Sequence, residues 1–89
     1  MRSIAIIDCV FGDRRQRFGL LFSWPWGALA GHGDIVELGD RNLTVQRYKF
    51  VTSKGPTVEF HFTDLICKSE VEYEAACEKF LNDRWERMA

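Results

Sequence analysis

Polar and apolar positions alternate most cleanly over residues 57–62. Val58, Phe60 and Phe62 fall on one side, and Thr57, Glu59 and His61 on the other. A period of two marks a strand with one buried face. Residues 34–38 and 43–50 read the same way, with Gly39-Asp40-Arg41-Asn42 and Ser53-Lys54-Gly55-Pro56 as the breaks between the three. The longest of them has a slip: Leu43 and Val45 share one parity, Tyr48 and Phe50 the other. One extra residue near Gln46-Arg47, a β-bulge, restores the pattern and bends the strand.

Upstream, residues 3–11 are an apolar run broken only by Asp8, which predicts a strand largely buried on both faces. Phe18, Leu20, Phe22 and Trp24 then alternate with Arg17, Gly19, Leu21 and Ser23, a second strand. A hairpin across Gly12-Asp13 joins the two, with a loop of about four or five residues and positive φ at Gly12 or Asp13. Phe11-Gly12-Asp13-Arg14 is echoed by Leu38-Gly39-Asp40-Arg41, which predicts one turn solution used twice. Pro25 ends the second strand, and the glycines of the 24–33 segment argue against a helix, so this is the longest irregular loop.

Ser69 and Glu72 match a capping box. The helix they open is expected to run from Glu70 to about Arg87. Tyr73, Cys77, Phe80, Leu81 and Met88 lie on its apolar face, with Ala76 and Trp85 flanking. The acids of its first turn and the arginines of its last complement its dipole. The expected architecture is a single α+β domain over residues 1–89. About five antiparallel strands form a strongly coiled sheet or SH3-like partial barrel, and one C-terminal helix covers it.

The chain is 46% hydrophobic and 28% charged with net charge −1, which fits a folded domain and lacks the basic excess of a nonspecific DNA binder. Its three cysteines, Cys9, Cys67 and Cys77, are odd in number and far apart, so they suggest buried thiols in a reducing, cytoplasmic setting and not a disulfide framework. Neither a signal peptide nor a membrane span is expected.

Catalytic and metal chemistry find little support. Cys9, Cys67, Cys77, His32 and His61 show no close ligand spacing. Cys67 with His61 lacks an orienting third group. The 27–33 glycines precede a strand where a phosphate loop needs a helix. Glu70, Glu72 and Glu74 fan around the helix and serve its dipole. No metal, no cofactor and no enzymatic activity are expected.

Two binding chemistries remain. Trp24 and Trp26 flank Pro25 beside the glycine loop, and exposed tryptophan with nearby arginine is the composition of a protein-binding hot spot. That reading names Trp24, Trp26, Leu29, His32, Arg14, Arg15 and Arg17 as partner-binding residues. The protein is then a small adaptor, assembly component or inhibitor of a larger complex, with the look of a prokaryotic or phage-encoded accessory protein. An exposed edge strand could also pair with another chain or with a second copy, giving a homodimer. The alternative is a small β-barrel for single-stranded nucleic acid, with Arg14, Arg15, Arg17, Arg47, Lys49 and Lys54 on the phosphates and aromatic side chains under the bases.

Overall fold

The computed structural model describes residues 2–23, 30–51 and 57–88. The elements are β1 (Arg2–Phe11), β2 (Arg14–Ser23), β3 (Ile35–Leu38), β4 (Arg41–Val51), β5 (Thr57–Phe62), β6 (Leu65–Ile66), α1 (Glu70–Asn82) and β7 (Glu86–Met88). They build one mixed sheet in the order β3-β4-β5-β1-β2-β7, with β6 also on β1. The helix packs on one side of it, so the α+β class holds.

The expected sheet and the expected end of the helix are both corrected. The described residues form seven strands, and their sheet is neither all-antiparallel nor closed into a barrel: β1 pairs with β5 and β6 in parallel. A meander assumes that successive strands are neighbours. The segment between β2 and β3 is too long to act as a tight turn, so β3 is released from β2 and the β3-β4-β5 meander returns beside β1. The apolar run of β1 suits that place, because a strand flanked on both edges with buried faces reads as nearly continuous hydrophobic sequence.

The second correction is the end of the helix. It stops at Asn82, with Asp83 as C-cap and Arg84 at φ 72°. The amide of Trp85 donates to the carbonyl of Phe80 (3.0 Å) and that of Arg84 to Leu81 (3.2 Å). This pair of bonds is a Schellman motif, and its apolar contact is the edge-on Phe80–Trp85 ring pair at 5.1 Å. Trp85 is thereby buried, and Met88 moves from the expected helix face to a short strand on β2.

The bulge forms where the alternation slips, between Val45 and Arg47. The echoed turns are also the same structure twice. Phe11 pairs with Arg14 and Leu38 with Arg41, so each loop has two residues, shorter than expected for the first. Gly12 (φ 60°) and Gly39 (φ 64°) supply the left-handed conformation at the first position. The arginine that closes each turn faces the helix side and grips one end of α1. Arg14 pairs with Glu70 (3.0 Å) and lies over the Tyr73 ring. Arg41 pairs with Asp83 (3.2 Å) and lies 3.8 Å from the Phe80 ring centroid. Each clamp joins a carboxylate and an aromatic face, a geometry suited to guanidinium. Arg41 and Lys79 also offset the carboxylate that Asp83 places at the negative end of the helix dipole.

The core lies between α1 and the sheet. Tyr73, Cys77 and Phe80 of the helix, with Trp85 beyond it, meet Ala5, Ile7, Cys9, Phe18, Val45, Val58 and Phe60. Phe18 and Phe80 stack at 5.0 Å. Leu81, expected in the apolar stripe, is 39% exposed.

Candidate interaction surface

Among the described residues no element covers the other side of the sheet, called the open side, and strand alternation decides which side chains lie on it, Ile6 and Asp8 being buried there among their neighbours. On β1 it carries Ile4, Ile6 and Asp8; on β2, Arg15, Arg17, Gly19 and Leu21; on β5, Glu59 and His61; and after the bulge on β4, Arg47 and Lys49.

Asp8 is the centre of the charged half. Its side chain is 6% exposed. Arg15 donates to Oδ2 at 2.6 Å and Arg17 to Oδ1 at 2.9 Å, while Arg15 also reaches Asp64 at 3.1 Å. Burial alone would raise the Asp8 pKa. The hydrogen bonds from Arg17 and Arg15 more than reverse this and hold the carboxyl below its ordinary value. Around this cluster lies a cleft of about 330 Å³ whose wall includes Gln46, Arg47, His61 and Asp64. Glu59 contacts His61 at 3.1 Å.

The second half is apolar. Ile4, Leu21 and Met88 line a groove of about 480 Å³, to which Leu20 of the helix side and the charged Arg2, Arg84 and Glu86 also contribute. Gly19 is the floor: a β-carbon there would collide with the Sδ of Met88, which lies across it.

The residues expected to bind a partner are dispersed. Trp24, Trp26 and Leu29 lie outside the described residues, as does Lys54. His32 is exposed in a turn where Asp34 accepts from the amide of Gly31 (2.8 Å) and Gly33 donates to Val45 (2.8 Å). That turn sits against β4, and β5 and β1 separate it from Arg14, Arg15 and Arg17. The arginine run is itself divided: Arg14 faces the helix, Arg15 and Arg17 the open side. Arg47 and Lys49 share the open side with Arg15 and Arg17. In the sequence Asp8 shows only as an interruption of an apolar run. A lone carboxylate there, opposite Arg17 in a hairpin, was the available signal.

His61 lines the open cleft, whereas Cys67 belongs to the core under α1. Among the described residues, no group of three or more His, Cys, Asp or Glu side chains is placed to hold a metal ion. Burial, with Cys77 and Cys67 nearby, pushes the Cys9 thiol up to about 12, and burial also raises Cys67. A buried, protonated thiol is inert. Cys9 should therefore react with an aromatic disulfide reagent at pH 8 at least roughly a thousandfold more slowly in the native protein than in denaturant, at the pace of global opening. Rapid native labelling of Cys9, located by peptide mapping, would contradict this packing.

No helix among the described residues is long and apolar enough to cross a membrane. Comparison with known families, curated proteins and solved structures gives no match to this chain.

Proposed function

We propose that the protein is a non-enzymatic protein-binding module, an adaptor, assembly component or inhibitor of a larger complex. The observation that supports this most is the open side of the sheet. α1 covers only one side, and the other presents an apolar groove next to a charged cleft, the pairing of apolar centre and polar rim found in protein interfaces. Leu21 stands 59% exposed in that groove. Three unbridged buried thiols suit a reducing compartment such as the cytoplasm.

A nucleic-acid reading draws on the shared side of Arg15, Arg17, Arg47 and Lys49. It is weakened because Arg15 and Arg17 are already committed to Asp8 and Asp64, which reduces the charge free for phosphates.

Affinity capture from extract of the source cell separates the readings. The native protein should retain a protein partner, and Leu21→Arg or Trp26→Ala should lose it with the melting temperature unchanged within a few degrees. Retention of a single-stranded oligonucleotide with a steep salt dependence, and of no protein, would favour the alternative and remove this one.

A further inference from the structure

We propose that the outer edge of β4 between Gln46 and Val51 is a strand-addition site for an extended, acidic segment of a partner protein. This deepens the binding-module reading and rests on it. β3 covers β4 only as far as Thr44, and Gly33 and Asp34 take up Val45. Beyond that point no described strand pairs with the outer edge, and residues 46–50 are all exposed.

The backbone of this edge is oriented to accept a strand. In an L-peptide strand, residues on one face turn both N–H and C=O to the same edge. Val45, which faces the helix side, bonds outward to Asp34 and Gly33. Tyr48 and Phe50 regain that face after the bulge, so their amides and carbonyls also point outward, free for a partner's ladder.

The side chains specify the partner. Arg47 and Lys49 stand on the open side, and the described ion pairs involve neither. Tyr48 and Phe50, 43% and 59% exposed and edge-on at 5.9 Å, stand on the other. A strand laid here meets cations on one face and aromatic rings on the opposite one. The complementary segment alternates carboxylates with aliphatic side chains, because directly opposed residues share a face. A second copy is disfavoured: an antiparallel two-fold pairing keeps faces in common, so it sets Arg47 and Lys49 against their own counterparts, like charge against like.

The probe is a fluorescein-labelled hexapeptide of alternating valine and glutamate, with a valine–lysine hexapeptide as control. Anisotropy should show the glutamate peptide binding at least tenfold more tightly, and amide shift changes in 15N-labelled protein should concentrate at 46–51. Arg47→Glu with Lys49→Glu should invert the preference, weakening the glutamate peptide at least tenfold and admitting the lysine peptide. Phe50→Pro removes one outward amide at a position where an edge strand tolerates proline, and should abolish binding. If that variant does not fold, the charge swap alone decides.

Equal affinity for both peptides, shifts away from β4, or a dimer by sedimentation that buries this edge would overturn the proposal. Failure of the peptide while the native protein still captures a cellular partner, unaffected by the charge swap, would overturn the edge assignment and leave the binding-module reading standing.

Discussion

Phe80→Ala should cost about 3–5 kcal/mol, the usual range for emptying a buried aromatic position. A domain of this size has about 4–13 kcal/mol in total, so the variant would sit near the edge of folding. The loss concentrates here because one ring serves three contacts. Phe80 stacks on Phe18, meets the edge of Trp85 and carries the Arg41 guanidinium. Its removal empties the centre of the core, loosens the Schellman stop and leaves Arg41 without its aromatic seat. Leu81→Ala is the internal control: the neighbouring side chain is partly exposed and should lose no more than about 1 kcal/mol. Urea midpoints of the two variants decide the matter. Comparable losses would mean that the helix is rotated from the orientation described.

Removing Arg15 and Arg17 together should do more than destabilise: it should change the protein's response to acid. In the native protein the Asp8 pKa lies below its unfolded value, so its contribution is present above the ordinary carboxylate pKa. That contribution is lost as pH falls through the depressed folded value. In Arg15→Ala/Arg17→Ala the bonds that offset burial of Asp8 are gone. Its folded pKa then lies above the unfolded one, and ionisation opposes folding at neutral pH. The double variant should melt roughly 5–15 °C below the native protein at pH 7, a range reduced because both guanidiniums are about half exposed and water can enter the cleft. The gap should narrow as pH falls toward the ordinary carboxylate pKa, where the variant's Asp8 takes up a proton. Melting curves of both proteins between about pH 3 and pH 7 test this, because other carboxylates cancel in the difference. A gap independent of pH would show that Asp8 is not the group the arginines serve.

Local features were legible because local sequence determines them. The bulge followed from a parity slip, the turns from Gly-Asp between alternating strands, and the helix start from Ser69, whose Oγ accepts from the amide of Glu72 (3.1 Å), while the Glu72 carboxylate reaches one residue past the N-cap and accepts from the amide of Lys68 (2.9 Å). The helix end was hidden because its left-handed residue is Arg84 where glycine would have announced it, and the motif is held by Trp85 burying itself on Phe80. Strand order was hidden for a related reason: periodicity says which face a strand buries and nothing of which strand lies beside it. Of the interaction surface, the cations at 47 and 49 were visible as residues. That Arg14 turns toward α1 while Arg15 and Arg17 close on Asp8 depends on pairing β1 with β2 in one register and could not be read from charge alone.

The parallel pairing of β1 with β5 has a consequence for how the chain comes together. The first hairpin and the β3-β4-β5 meander are each built from neighbours in sequence and can zip early. The seam between them within the sheet joins residues 2–6 to residues 57–61, a separation that demands a large loop closure before any bond rewards it. Two quickly formed halves therefore wait on one slow suture, and agents that strain it should split the protein along that line before either half frays.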